Sequence, residues 1–248
     1  MPLTVLLPLF AMYTAAGVAL VVGALFFTKA SGEPRANRVY GAWLVLGGLT
    51  QLHFALDFGG YFLDYPALKF LPLYFSLWLP VMLFGYVKIS LYPRYRLRLT
   101  DLKHLLLPIG QTIYFLCVWL FPELRHEEGR YFWNPFYGAM EQALFLAGWP
   151  LYALFSVLYL RQRRRQLAGR MLPRIWWYTR KLIKGVGLFV FAYGTLAIVD
   201  YLAYRYFLAD LRSRSWYAGA QALSFTVLLV WITVYGAQVL VWGRKLRV

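Results

Sequence analysis

Seven long apolar runs constrain what this chain can fold into more than any other feature of it. A helix needs about 20 apolar residues to cross the hydrocarbon core of a bilayer. The runs at about 3–28, 39–62, 68–91, 104–122, 137–160, 182–207 and 217–242 reach or approach that length. They are continuously apolar rather than alternating, and too long for barrel strands. The reading is all-α: one polytopic domain over 1–248 with seven transmembrane helices and short loops. With 61% hydrophobic and only 15% charged residues, a soluble domain of this length is excluded. The N-terminus lacks a basic n-region and a small-residue cleavage site, so the first run is expected to remain as a span.

Charge placement predicts the orientation. Of the 26 Lys and Arg, 20 fall on one side of the predicted spans: after the first, third and fifth runs and in the tail. Six fall on the other: Lys69, Arg125, Arg130, Arg205, Arg212 and Arg214. Cytoplasmic loops carry the excess of basic residues, so the N-terminus is expected outside and the C-terminus inside. Tyr and Trp mark both interfaces, with Tyr65, Tyr137 and Trp216 at the outer one and Tyr92, Trp177 and Trp242 at the inner one. Their apolar bodies and polar tips suit such belts.

Few ionisable groups lie inside the runs, and those in lipid are costly and tend to mark a site. His53, Asp57, Glu141 and Asp200 all map toward the outer half. Thr50, His53, Asp57 and Gly60 follow spacings of 3, 4 and 3, which puts them on one helical face. Asp57, four after His53, is placed to meet it along that face. His53 lies roughly 20 Å from the inner end of its span at 1.5 Å per residue. Glu141 lies about one turn below the start of its span, near the interface. Gln221 and Ser224 add polar groups from the last run.

Three readings of this set stand side by side. The groups fix helix packing through interhelical hydrogen bonds. Or they line a ligand site open to the outside. Or they form a metal or proton site of an intramembrane hydrolase. One His with several carboxylates is a weak zinc set, so no metal is assigned. No H-E-x-x-H, G-x-S-x-G or P-loop pattern occurs, and no motif implies a cofactor. The last run has no central lysine for a retinal Schiff base. The single cysteine, Cys117, excludes an intramolecular disulfide.

The stretch from Arg161 to Lys181 carries Arg161, Arg163, Arg164, Arg165, Arg170, Arg174, Arg180 and Lys181, interleaved with Trp176, Trp177 and Tyr178. Membrane lipids with anionic head groups are the expected partners, with the aromatic trio anchoring at the interface. A cytoplasmic protein partner docking on the same stretch stays open, and no direct nucleic-acid contact is expected. Glu123, His126, Glu127 and Glu128 in an outer loop read as a solvated acidic face.

Residues 34 to 122 contain the runs P-R-A-N-R, D-Y-P-A-L, F-G-Y-V-K and L-T-D-L-K-H-L-L-L-P. Ala36, Asn37 and Arg38, then Tyr65, Pro66 and Leu68, then Gly85, Tyr86 and Val87, then Asp101, His104 and Pro108 carry the likeness. This pattern resembles the membrane-embedded N-terminal sensor module of some bacterial AraC-type transcription regulators. The resemblance implies a multi-span module that passes an external or membrane signal inward. No helix-turn-helix segment occurs within these residues, so DNA binding is not carried over.

The expectation is therefore a sensor or receptor of the bacterial inner (plasma) membrane. Its ligand site would involve His53, Asp57, Glu141 and Asp200, and it would signal to a cytoplasmic partner. The alternative is an intramembrane enzyme acting on a lipid or isoprenoid, with His53 as base and the carboxylates, Asp57 and Asp200 among them, as acid or metal ligands. A further alternative is a non-catalytic subunit of a membrane complex.

Overall fold

The computed structural model describes residues 3–28, 33–92, 94–95, 98–125, 133–166, 174–209, 211 and 214–242. Over them the chain is helical apart from short connections. In order come α1 (Leu3–Thr28), α2 (Pro34–Phe58), α3 (Tyr61–Asp64), α4 (Trp78–Leu91), α5 (Leu99–Leu102), α6 (Leu106–Leu120), α7 (Ala139–Gln166), α8 (Arg174–Phe207) and α9 (Ser215–Trp242). A two-residue hairpin, β1 (Trp133–Asn134) with β2 (Tyr137–Gly138), leads into α7.

Six helical stretches are long and apolar enough to cross a membrane: Val5–Thr28, Pro34–Phe58, Leu99–Leu120, Ala139–Gln166, Arg174–Phe207 and Trp216–Trp242. Their outward faces carry large apolar side chains such as Phe10, Val21, Leu106, Leu188, Phe191 and Val227 in exposed positions. A soluble protein rarely exposes apolar surface on this scale, so the chain is a multi-pass membrane protein.

α2 runs through the centre, against α1, α4 and α9. Its glycines permit this. A Cβ at Gly41 would stand 2.9 Å from the Gly23 carbonyl oxygen, and one at Gly23 would stand 3.0 Å from that of Gly41, so small residues let the two backbones meet. On the other flank the Tyr40 hydroxyl donates to the Ile232 carbonyl at 2.7 Å, and Gln51 Nε2 donates to Thr226 Oγ1 at 3.1 Å. These bonds tie α2 to α9 inside the bundle.

The stretch expected as a continuous span over 68–91 is broken. A 3₁₀ turn covers Pro66–Phe70, residues 71–77 are not helical, and regular α-helix begins only at Trp78. α4 has 14 residues, about 21 Å at 1.5 Å per residue. Pro72 has no N–H to continue a helix, whereas Pro80 sits in the first turn of α4, where its missing donor costs nothing. The end of α2 also differs from expectation. The helix stops at Phe58, and Gly60 turns the chain with φ of 80°, a conformation glycine adopts without penalty. Gly60 therefore leaves the face shared by Thr50, His53 and Asp57. At the opposite pole, α7 and α8 extend beyond the predicted spans, to Gln166 and back to Arg174.

Candidate functional site

Irregular backbone at membrane depth is stable only when protein or trapped water satisfies its polar groups. Here side chains from three helices hold the break. Thr50 Oγ1 on α2 accepts the Phe75 N–H at 3.1 Å. Gln111 Oε1 on α6 accepts the Leu77 N–H at 3.1 Å, while its Nε2 donates to Ser76 Oγ at 2.9 Å. Ser76 donates in turn to Glu141 Oε1 on α7. The Tyr74 hydroxyl donates to Glu141 Oε2 at 3.0 Å. Trp78 Nε1 adds a bond to Thr112 Oγ1 at 2.9 Å. Thr50, Ser76 and Gln111 are fully buried.

Beside this knot lies a partly open cavity of about 810 Å³. It is bounded by helix ends at one pole of the bundle: Val5 of α1, Asp57 of α2, Gly138 before α7 and Ala218 of α9. His53, Asp57, Glu141 and Gln221 all line it. Four residues predicted from three separate runs therefore share one cavity. Lys69, Tyr74, Gln142 and Tyr193 add polar groups to the wall, and phenylalanines supply much of the rest.

Glu141 sits in the first turn of α7, where the helix dipole favours a carboxylate. It is 3% exposed, so it is covered by protein although it stands in the first turn of its helix. His53, 6% exposed, is held among rings, with centroids 4.9 Å from Tyr74 and 5.0 Å from Phe62. Its Nδ1 is buried and finds no hydrogen-bond partner among the described residues, Asp57 included. Gln221 Nε2 is buried and unpartnered in the same sense.

Three predicted residues do not reach the cavity wall. Thr50 lies behind it, holding Phe75 and the Leu46 carbonyl. Ser224 bonds the Gln221 carbonyl of its own helix at 2.7 Å. Asp200 is buried at 3% exposure, but it is absent from the wall. α8 meets the cavity instead at Tyr193, seven residues or about two turns earlier in the helix. Ser76, Tyr74 and Gln111 were missed. Each is an ordinary residue in an apolar run, and only Pro72 nearby signals the break they satisfy. Among the described residues, no three His, Cys, Asp or Glu side chains come together to hold a metal ion.

The opposite pole carries the basic residues. Arg161, Arg164, Arg165, Arg174, Arg180 and Lys181 are exposed, Arg163 is half-buried over the Tyr92 ring at 5.2 Å, and Arg170 lies outside the described residues. Of the expected aromatic anchors only Trp177 is exposed. Trp176 is buried and donates to the Leu160 carbonyl at 3.1 Å, and Tyr178 is half-buried and bonded to Gln238. Arg180 lies over both tryptophan rings. In the acidic outer group Glu123 is exposed, whereas His126, Glu127 and Glu128 lie outside the described residues.

A second polar cluster joins α4 to α5 at this pole. Lys88 Nζ meets Asp101 Oδ1 at 2.7 Å and lies 4.1 Å from the centroid of the Tyr95 ring. Asp101 also accepts from the Tyr95 hydroxyl and from the Arg98 N–H. Arg35 Nη1 donates to the Tyr95 carbonyl at 2.8 Å, which brings the start of α2 into the cluster. His104 Nδ1 lies 3.1 Å from the Tyr152 hydroxyl of α7. Burial and the bond to Asp101 both raise the pKa of Tyr95.

Scans against models of known protein families, curated proteins and solved structures return no match.

Proposed function

We propose that this protein is a receptor-like sensor of the bacterial inner membrane, binding a small ligand in the outer cavity and signalling to a cytoplasmic partner. In this reading the chain crosses the membrane seven times. The stretch 66–91 makes the seventh crossing as a broken helix, and the N-terminus is outside. The distribution of Lys and Arg supports that orientation. The exposed arginines of α7 and α8 then face anionic cytoplasmic lipids and a protein partner. The likeness of residues 34–122 to the sensor module of AraC-type regulators is in keeping with it.

One observation carries the reading. Glu141 lines the cavity and, through Tyr74 and Ser76, also holds the break that begins α4. The inner end of α4 holds Lys88 in its pair with Asp101. A ligand that engages Glu141 thus acts on a helix that ends at the other pole. Differential contact of this kind is what a ligand needs to shift a conformational equilibrium.

The test compares the purified protein with an Ala222→Trp variant, in which a bulky ring stands on the cavity wall. Both are equilibrated with a small-molecule extract of the source culture and weighed by native mass spectrometry. A bound species present on the first and missing from the second is the expected result. Identical spectra would remove the cavity as a ligand site.

A further inference from the structure

We infer that the cavity is built for a primary amine, its ammonium seated between Glu141 and His53 and its hydrocarbon body against the aromatic walls. This rests on the reading of the cavity as a ligand site and names the chemistry it would take.

The acceptors come first. A carboxylate offers about four lone-pair positions, and the bonds from Tyr74 and Ser76 occupy two of them on Glu141. The remaining capacity is on a buried side chain that lines the cavity. His53 Nδ1 is an unsatisfied polar atom on a ring more than nine-tenths buried, lining the same cavity. With the ring proton on Nε2, that nitrogen is an acceptor. Tyr74 neighbours both acceptors, its ring 4.9 Å from the His53 ring and its hydroxyl bonded to Glu141. A group bearing several N–H donors and a positive charge satisfies both at once. A quaternary ammonium has no N–H to give, and a carboxylate would meet Glu141 as a like charge.

The walls agree. Phe145, Tyr193 and Phe225 line the cavity, and aromatic faces attract a cation within about 6 Å of their centroids. The wall has two carboxylates, Asp57 and Glu141, against one lysine. That lysine, Lys69, lies 5.6 Å from the centroid of the Tyr137 ring and acts electrostatically on His53. Gln221 Nε2, unpartnered on the α9 side, is free to bond a hydroxyl or carbonyl elsewhere on the ligand.

A primary ammonium reaches such a site either on a free amine or on an ethanolamine lipid head group. The test uses purified protein in phosphatidylcholine nanodiscs, titrated calorimetrically with phenethylamine, tyramine and hexylamine. Phenylacetate and 2-phenylethanol serve as controls of like shape. At least one amine is expected to bind at millimolar concentration or better while phenylacetate does not. Glu141→Gln should weaken it roughly tenfold or more, and His53→Phe roughly fivefold. Ala222→Phe, which leaves both acceptors unaltered, should also weaken it and guards against a misfolded Glu141→Gln. Phosphatidylethanolamine in the discs lowers the apparent affinity if the head group is a natural occupant, and leaves it unchanged if free amines are. Binding of phenylacetate or phenylethanol in place of the amines, abolished by Ala222→Phe, would overturn the amine assignment and leave the ligand site standing. No binding by any of the five compounds would overturn both.

Discussion

The carboxylate of Glu141 and the hydroxyl of Ser76, 65 positions apart in the chain, are hydrogen-bonded inside the bundle. The bond joins the first turn of a long helix to the non-helical segment 71–77. Glu141 is thus both part of the cavity wall and part of the support for the break in the helix.

The support has a measurable worth. Gln111→Leu leaves the Leu77 N–H without its acceptor and Ser76 without a donor. Stranding a buried polar group costs about 1–3 kcal/mol, so thermal unfolding in detergent should show a loss of that size. Thr50→Val should show a similar loss through Phe75. Ser224→Ala, which removes only a bond within its own helix, should be nearly neutral.

Close contact between α1 and α2 depends on Gly23 and Gly41. In Gly41→Val the new side chain meets the Gly23 carbonyl and the Phe26 Cβ, which lies 2.8 Å from where a Cβ would stand. Overpacking of this kind costs about 1–3 kcal/mol, to be read from the unfolding midpoint. At Gly17, where a Cβ meets nothing within 4 Å, Ala should be tolerated.

The Lys88–Asp101 pair, with side chains 10% and 17% exposed, should show strong coupling. Removing either partner leaves the other charge largely buried and uncompensated. Lys88→Met and Asp101→Leu are therefore each expected to destabilise by about 1–3 kcal/mol, and the double variant by less than the sum. Simple additivity in a double-mutant cycle would show that the pair is solvated.

Orientation is tested with single cysteines in a Cys117→Ala background. Leu3→Cys should react with a membrane-impermeant maleimide on intact cells. Arg164→Cys should react only after permeabilisation. The reverse pattern would invert the proposed topology.

Much of the fold was legible in the chain because a bilayer imposes length and polarity on every span. Six of the seven runs became helices long enough to cross. The run at 68–91 did not, since hydropathy does not register where backbone hydrogen bonds go, and Ser76 and Gln111 look unremarkable without partners. Helical spacing correctly grouped His53 with Asp57 on the cavity wall. Depth counted along a run does not show burial: Glu141 stands in the first turn of α7, yet Tyr74 and Ser76 of the broken segment bond its carboxylate and it is 3% exposed. Position along a run brings Asp200 to the right half of the bundle but does not fix which residue of α8 meets the cavity, and that residue is Tyr193.

In the proposed reading Glu141 connects a ligand in the cavity to the broken helix. Amide hydrogen exchange across residues 71–77, measured with and without saturating phenethylamine, reports that connection. Exchange at these amides should slow severalfold on binding in the unaltered protein and stay unchanged in Glu141→Gln. Ligand binding in the cavity with no change in exchange at 71–77 would contradict it.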